Sequence, residues 1–249
     1  MTVSPDIARR LIVALDLPDA ETALALARQI APLGVTFKVG MQLFYETGPD
    51  LVRQLQAESG RVFVDLKLHD IPTTVAKATR SLMSHGVSFL NVHATGGQAM
   101  MSAAAEAAQA AAAEFSLPDP ILLGVTVLTS MDQAQLNDWL RVPGKLSEQV
   151  VHLAKLSQQS GLQGVVCSAQ EAPLIREACG PDFLLVTPGI RPAGSAADDQ
   201  SRMLTPAQAL QQGSDYLVVG RPITADGDPV AATSAILADM AGVLPSGAR

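Results

Sequence analysis

Eight short apolar runs alternate with helical patterns along almost the whole chain, and this alternation constrains the fold more than any single motif. The runs cover residues 11–15, 35–39, 62–66, 87–92, 121–128, 164–167, 183–186 and 216–219. Most are continuously apolar rather than alternating, as strands read when both faces are buried, so a parallel sheet covered by helices is expected. The connections carry helix signals: Asp19 as N-cap before a helix over 20–33 stopped by Gly34, and Thr205 ahead of Pro206 at a first helical position. The longest connection, 131–161, is expected to be split by Pro143-Gly144 into a short helix and a main one. With 249 residues, 48% of them hydrophobic, the chain matches the roughly 250 residues of a typical eight-stranded barrel. The expected fold is therefore α/β, a single-domain (β/α)8 TIM barrel over 1–249 with short terminal segments at 1–10 and 243–249. Only 16% of residues are charged, and the Ala-rich stretch 103–113 predicts a helix packed closely against a neighbour.

A parallel barrel carries its active site at the carboxyl ends of its strands, so the residues closing each run belong together. They are Asp16, Lys38, Asp65 with Lys67, His93, Thr129 with Ser130, Ser168, Arg191 just past 187–190, and Gly220 with Arg221. The third set is the most informative: Val62-Phe63-Val64 runs into Asp65-Leu66-Lys67-Leu68-His69-Asp70, placing charges of alternating sign where a buried strand ends. Asp65 and Lys67, at i and i+2, share a strand face about 6.6 Å apart along it, close enough for their tips to converge. Taken alone, the pair reads either as an ion pair at a strand end or as two groups aimed at one small molecule. Lys38, flanked by Phe37 and Val39, needs a carboxylate or bound anion opposite it to offset its desolvation. His93 and Ser168 are expected to make structural hydrogen bonds.

The segment Tyr216-Leu217-Val218-Val219-Gly220-Arg221-Pro222-Ile223 fits a phosphate site, with Gly220 allowing close backbone approach and Arg221 offering planar, bidentate donors. The loop 190–202 beside it is rich in small and polar residues, as a lid would be, and Gln200 could reach a ligand on closure. There is no HExxH, GxSxG, GxGxxG or Walker loop, and Cys167 and Cys179 give neither a disulfide framework nor zinc spacing. His69 and His93 can meet at adjacent strand ends but have no clear third ligand, so no metal site and no cofactor are expected. A net charge of −7 argues against nucleic acid or an anionic membrane as partner. No apolar run approaches the roughly 18 residues of a membrane span, and Met1 to Arg10 lacks a signal core, so a soluble cytoplasmic protein is expected.

These motifs together resemble the bacterial orotidine 5'-phosphate decarboxylases nearly end to end. The carriers are Ile12-Val13-Ala14-Leu15-Asp16, Phe37-Lys38-Val39-Gly40, Asp65 through Thr74, Val125-Thr126-Val127-Leu128-Thr129-Ser130, Thr187-Pro188-Gly189-Ile190-Arg191-Pro192 and Val219-Gly220-Arg221-Pro222-Ile223. The resemblance implies an enzyme that makes UMP from orotidine 5'-phosphate. Lys67 would protonate the carbanion left at C6, within an alternating array of Lys38, Asp65, Lys67 and Asp70. It further implies a homodimer in which Asp70 and Thr74 reach the neighbouring subunit's site. Asp16 and Lys38 would hold the ribose, Thr129 and more weakly Ser130 the base, and Arg191, Gln200, Gly220 and Arg221 the phosphate region. Thr73 stands where the family often has Asn. Sugar-phosphate decarboxylases and hexulose-phosphate synthases share the DxKxxD element but use magnesium held in part by a second-strand glutamate, where this chain has Lys38.

Overall fold

A computed structural model describes residues 3–192 and 204–243. Its strands are β1 (Leu11–Ala14), β2 (Thr36–Gly40), β3 (Val62–Leu68), β4 (Phe89–His93), β5 (Ile121–Val125), β6 (Gly164–Val166), β7 (Leu184–Thr187) and β8 (Tyr216–Val219). They close into one barrel in chain order, and β8 pairs in parallel with β1. All eight expected strands are present, and the fold is a single-domain (β/α)8 TIM barrel.

Side-chain alternation divides the core in two. Ile12, Ala14, Phe63, Phe89, Leu123, Val186 and Val218 fill the barrel interior, while Val13, Phe37, Val39, Val64, Leu90 and Val92 belong to the larger cluster under the helices. Inside, Phe89 is the hub: its ring centroid lies 5.9 Å from that of Phe63 and 5.1 Å from that of Tyr216, and the Arg61 guanidinium stands 5.1 Å from it. The interior below the strand ends is thus a packed floor.

The helix signals hold in detail. Asp19 Oδ1 accepts from Thr22 N at 2.8 Å, and the helix runs Ala20–Ile30 before a tighter 3-10 turn, Ala31–Leu33, ended by Gly34 at φ 80°. That turn, containing Pro32, replaces the last turn of the uniform helix expected over 20–33, because proline cannot donate to the ladder. Thr205 and Gln208 cap each other reciprocally. Pro143-Gly144 separates a short π-helical segment, Gln135–Trp139, from helix Leu146–Gln159. The Ala-rich helix Gln98–Phe115 buries Met100, Ala104, Ala108 and Ala111 on one face and packs along helix Pro72–Met83. The 1–10 segment contains a single helical turn, Pro5–Ala8, with Ile7 and Ala8 buried.

Two strand boundaries depart from expectation. β5 ends at Val125 rather than 128, because both the amide and hydroxyl of Thr126 are spent on Val166 O, and β6 extends no further. β3 continues to Leu68, with an irregularity: Val64 pairs with Leu90 and Leu68 with Val92, so three β3 residues face the single Asn91.

Close strand packing also fixes Gly164. A Cβ there would collide with the Leu184 carbonyl oxygen and lie 2.7 Å from Leu184 Cβ, whereas nothing stands within 4 Å of one at Gly227. Gly164→Ala is expected to lose about 3 kcal/mol by displacing backbone of β7, while Gly227→Ala is near neutral; urea unfolding midpoints check both.

Candidate active site

The strand alternation that lays the apolar floor continues upward into charge. Two residues beyond Ala14 comes Asp16, two beyond Thr36 comes Lys38, two beyond Phe63 comes Asp65, and two beyond Val218 comes Gly220. These inward positions open on a cavity of about 450 Å³, lined also by Lys67, Thr129, Arg191 and Arg221. Its size suits a nucleotide-scale ligand.

One continuous chain of opposite charges crosses the cavity. Lys38 Nζ lies 3.2 Å from Asp16 Oδ1 and 3.2 Å from Asp65 Oδ2, and Lys67 Nζ lies 2.7 Å from Asp65 Oδ1. The carboxylate that Lys38 requires is therefore supplied twice. Gly40 leaves room for both side-chain tips, since a Cβ there would stand 3.0 Å from Asp16 Oδ1 and 3.2 Å from Lys38 Nζ. Side-chain exposure falls from 62% at Asp16 to 8% at Lys38 and 14% at Asp65, then rises to 26% at Lys67. Lys67 is thus the array's open cationic end.

Burial pushes the Asp65 carboxyl up, but the Lys38 and Lys67 charges and the hydrogen bonds from Lys67 and Asn91 outweigh it, holding the group below the usual 3.8. Asp65 is accordingly ionised at neutral pH and keeps two ammonium groups in register. Each opposite pair gains about 4 kcal/mol at an effective dielectric near 20 and 4 Å. Desolvation costs several kcal/mol per buried ion, so the array adds little to fold stability. What it provides is fixed charge aimed into a cavity.

The route by which Lys67 reaches Asp65 differs from the regular i, i+2 geometry expected. Lys67 adopts φ 53°, in the left-handed region, inside the β3 irregularity. Asn91 occupies the gap: its Oδ1 accepts from Lys67 N at 2.8 Å and its Nδ2 donates to Asp65 Oδ1 at 2.7 Å. The sequence reading missed Asn91. Its signal was available, since a polar residue amid Phe89-Leu90-Asn91-Val92 needs a partner for the same reason as Lys38.

The remaining candidates fall into three groups. Thr129, Arg191, Gly220 and Arg221 line the cavity, with the two arginines at the ends of β7 and β8. A Cβ at Gly220 would meet Ala14 Cβ only at 3.6 Å, so crowding within the chain does not demand glycine there. Ser130 is exposed and does not line the cavity, because the turn closed by Met131 N to Leu128 O carries the chain away after Thr129. Asp70 and Thr74 are likewise exposed and outside it, Asp70 Oδ1 accepting from Ile71 N at 2.6 Å. Gln200 and most of the expected lid, 193–202, lie outside the described residues.

His69 and His93 do approach, with ring centroids 5.5 Å apart. Burial, then His69 and Lys67, press the His93 imidazole below its usual value against the pull of Asp65, which favours the neutral ring. Ser168 is structural, as expected: its hydroxyl accepts from Gln170 N and its amide donates to Glu171 Oε2. Cys167 lines the cavity but is fully buried, which pushes its thiol well above the ordinary range. Among the described residues no group of three or more His, Cys, Asp or Glu is placed to hold a metal ion, and no helix is long and apolar enough to cross a membrane.

Known proteins share this architecture. Orotidine 5'-phosphate decarboxylase of Moorella thermoacetica is 51% identical over 231 residues, covering 93% of this chain and 92% of the relative. That of Nitrosococcus oceani is 51% identical over 234 residues, covering 94% and 98%. The crystal structure of the Lactobacillus acidophilus enzyme of that name superposes with a TM-score of 0.82 at 40% identity, over 93% of this chain and 99% of that one. The model of the Orotidine 5'-phosphate decarboxylase / HUMPS family matches residues 9–236, and with half of all aligned positions identical in full-length relatives the chain belongs to that family.

Proposed function

We propose that this protein decarboxylates orotidine 5'-phosphate to UMP and carbon dioxide in de novo pyrimidine synthesis, without metal or organic cofactor, and that Lys67 protonates C6. The observation that carries the reading is the Asp16–Lys38–Asp65–Lys67 charge chain, with an ammonium on β2 where the magnesium-using branch needs a carboxylate.

In this reaction the bond from C6 to the carboxylate breaks heterolytically, carbon dioxide departs, and the electron pair stays on C6. Lys67 Nζ–H then gives its proton to C6, and the neutral amine recovers a proton from water. The carbanion is localised, so the useful interaction is one that strengthens as charge gathers at that carbon. An ammonium already held by Asp65 provides it with no reorganisation. Crowding of the substrate carboxylate against Asp65 adds a smaller push.

Around that centre, Asp16 and Lys38 hold the ribose, and Thr129, with Ser130 in a lesser role, contacts the base. Arg191, Gln200, Gly220 and Arg221 take the phosphate. Binding energy from the phosphate, remote from C6, helps close the site and fix the pyrimidine against Lys67. The active form is a cytoplasmic homodimer in which Asp70 and Thr74 reach into the neighbouring subunit's site, Asp70 completing its charge array.

The test is release of carbon dioxide from orotidine 5'-phosphate by the purified protein before and after exhaustive chelation. Undiminished turnover is expected, because Lys38 would repel a cation seated beside Asp65. Loss of activity that magnesium restores would overturn metal independence and favour the enediolate chemistry of the sugar-phosphate branch.

A further inference from the structure

The geometry points to Asn91 as a positioning residue that holds Lys67 and Asp65 in their working arrangement, an inference that rests on the decarboxylase reading above. Three observations converge on it. First, β3 has three residues where β4 has one, so the Lys67 amide has no ladder partner of its own on β4. The Asn91 side chain takes the place of the missing backbone acceptor, at 2.8 Å. Second, Lys67 stands at φ 53°, a conformation that a residue with a Cβ adopts only where its surroundings hold it, and the bond from its own N–H to Asn91 is such a hold. Third, Asn91 is completely buried in the barrel interior, where polar side-chain atoms persist only with hydrogen-bond partners, and its Oδ1 and Nδ2 each have one.

The chemistry admits one orientation of the amide. A backbone N–H can only donate and an ionised carboxylate can only accept, so Oδ1 faces Lys67 and Nδ2 faces Asp65. No other side chain of this size offers an acceptor and a donor on the same planar end. Aspartate keeps the acceptor but sets a second carboxylate against Asp65. Leucine keeps the shape and leaves both partners unbonded. Asn91 itself does not line the cavity, so its influence passes through Lys67 and Asp65.

The test compares wild type, Asn91→Leu and Asn91→Asp by steady-state decarboxylation, with rates normalised to the UMP-binding sites counted in each preparation. Both variants are expected to lose about 100-fold or more in kcat while KM stays within about threefold, since the phosphate-side arginines are untouched. The nearly isosteric Asn91→Asp keeps the bond to the Lys67 amide and is the variant expected to fold. Its pH profile should have the acid limb displaced upward, because a donor to Asp65 is replaced by a like charge. Wild-type kcat per UMP-binding site in either variant, with only a lowered melting temperature, would overturn the positioning role and leave a fold contact. So would an unmoved acid limb in Asn91→Asp. A wild-type protein that releases no carbon dioxide would instead defeat the decarboxylase reading, so the two failures are distinguishable.

Discussion

Lys67→Ala is expected to lower turnover by about 10⁴-fold or more while the protein stays folded and still binds UMP. General acid catalysis supplies about 10²–10⁴-fold and a preorganised charge at the developing anion about 10²–10³-fold, and one ammonium carries both roles here. Stability should change by no more than about 1 kcal/mol, because Lys67 is the most open of the cavity's two lysines and its pairing is screened accordingly. Asp65 keeps Lys38 at 3.2 Å and Asn91 at 2.7 Å as partners after the substitution, so the carboxylate is not stranded. Binding of UMP should survive, as Arg191 and Arg221 sit at the β7 and β8 ends, away from the β3 end that carries Lys67. Rates of carbon dioxide release, UMP titration and thermal melting of the two proteins check each part. Equal rates would remove Lys67 from the mechanism.

The fold was legible because its governing signals are local. Runs of apolar residues mark strands buried on both faces, and Asp19, Gly34, Thr205 and Pro206 mark helix ends that any backbone must satisfy. Boundaries were legible only where the chain itself ends an element. β5 stops at Val125 because β6 is too short to pair with more of it, a fact written in another part of the sequence. The pairing of Lys38 followed from a single physical rule, that a buried charge needs a partner, and Asp16 and Asp65 supply it, whereas the full alternating array was implied only by the family resemblance. The β3 irregularity did not follow, because Asp65-Leu66-Lys67 reads equally well as regular strand and the extra residues emerge only when β3 and β4 are laid side by side. Asn91 escaped for the same reason: its two partners lie 24 and 26 residues away in sequence.

Mixing two inactive variants, Lys67→Ala and Asp70→Ala, is expected to restore decarboxylation if each site draws Asp70 from the other subunit. In a single chain Asp70 is exposed and outside the cavity, although it is only three residues beyond Lys67. Its neighbour Ile71 is 66% exposed, and Met41, Tyr45, Leu128, Trp139 and Leu140 are also exposed in segments following the carboxyl ends of β2 and β5. Exposed large apolar side chains, two of which, Met41 and Leu128, line the cavity, are what a subunit contact would cover. In a symmetric dimer the contact is reciprocal, so Asp70 of each subunit would stand at the other's Lys67. A heterodimer of the two variants then contains one site with both lesions and one with neither. After random exchange of equal amounts, half the dimers are mixed and half their sites are intact, giving about one quarter of wild-type activity per site. Were Asp70 to serve its own subunit, every site in the mixture would carry one lesion and no activity would return. Exchange itself is followed by mass spectrometry of differently tagged chains, so silence from a fully exchanged sample counts directly against shared sites.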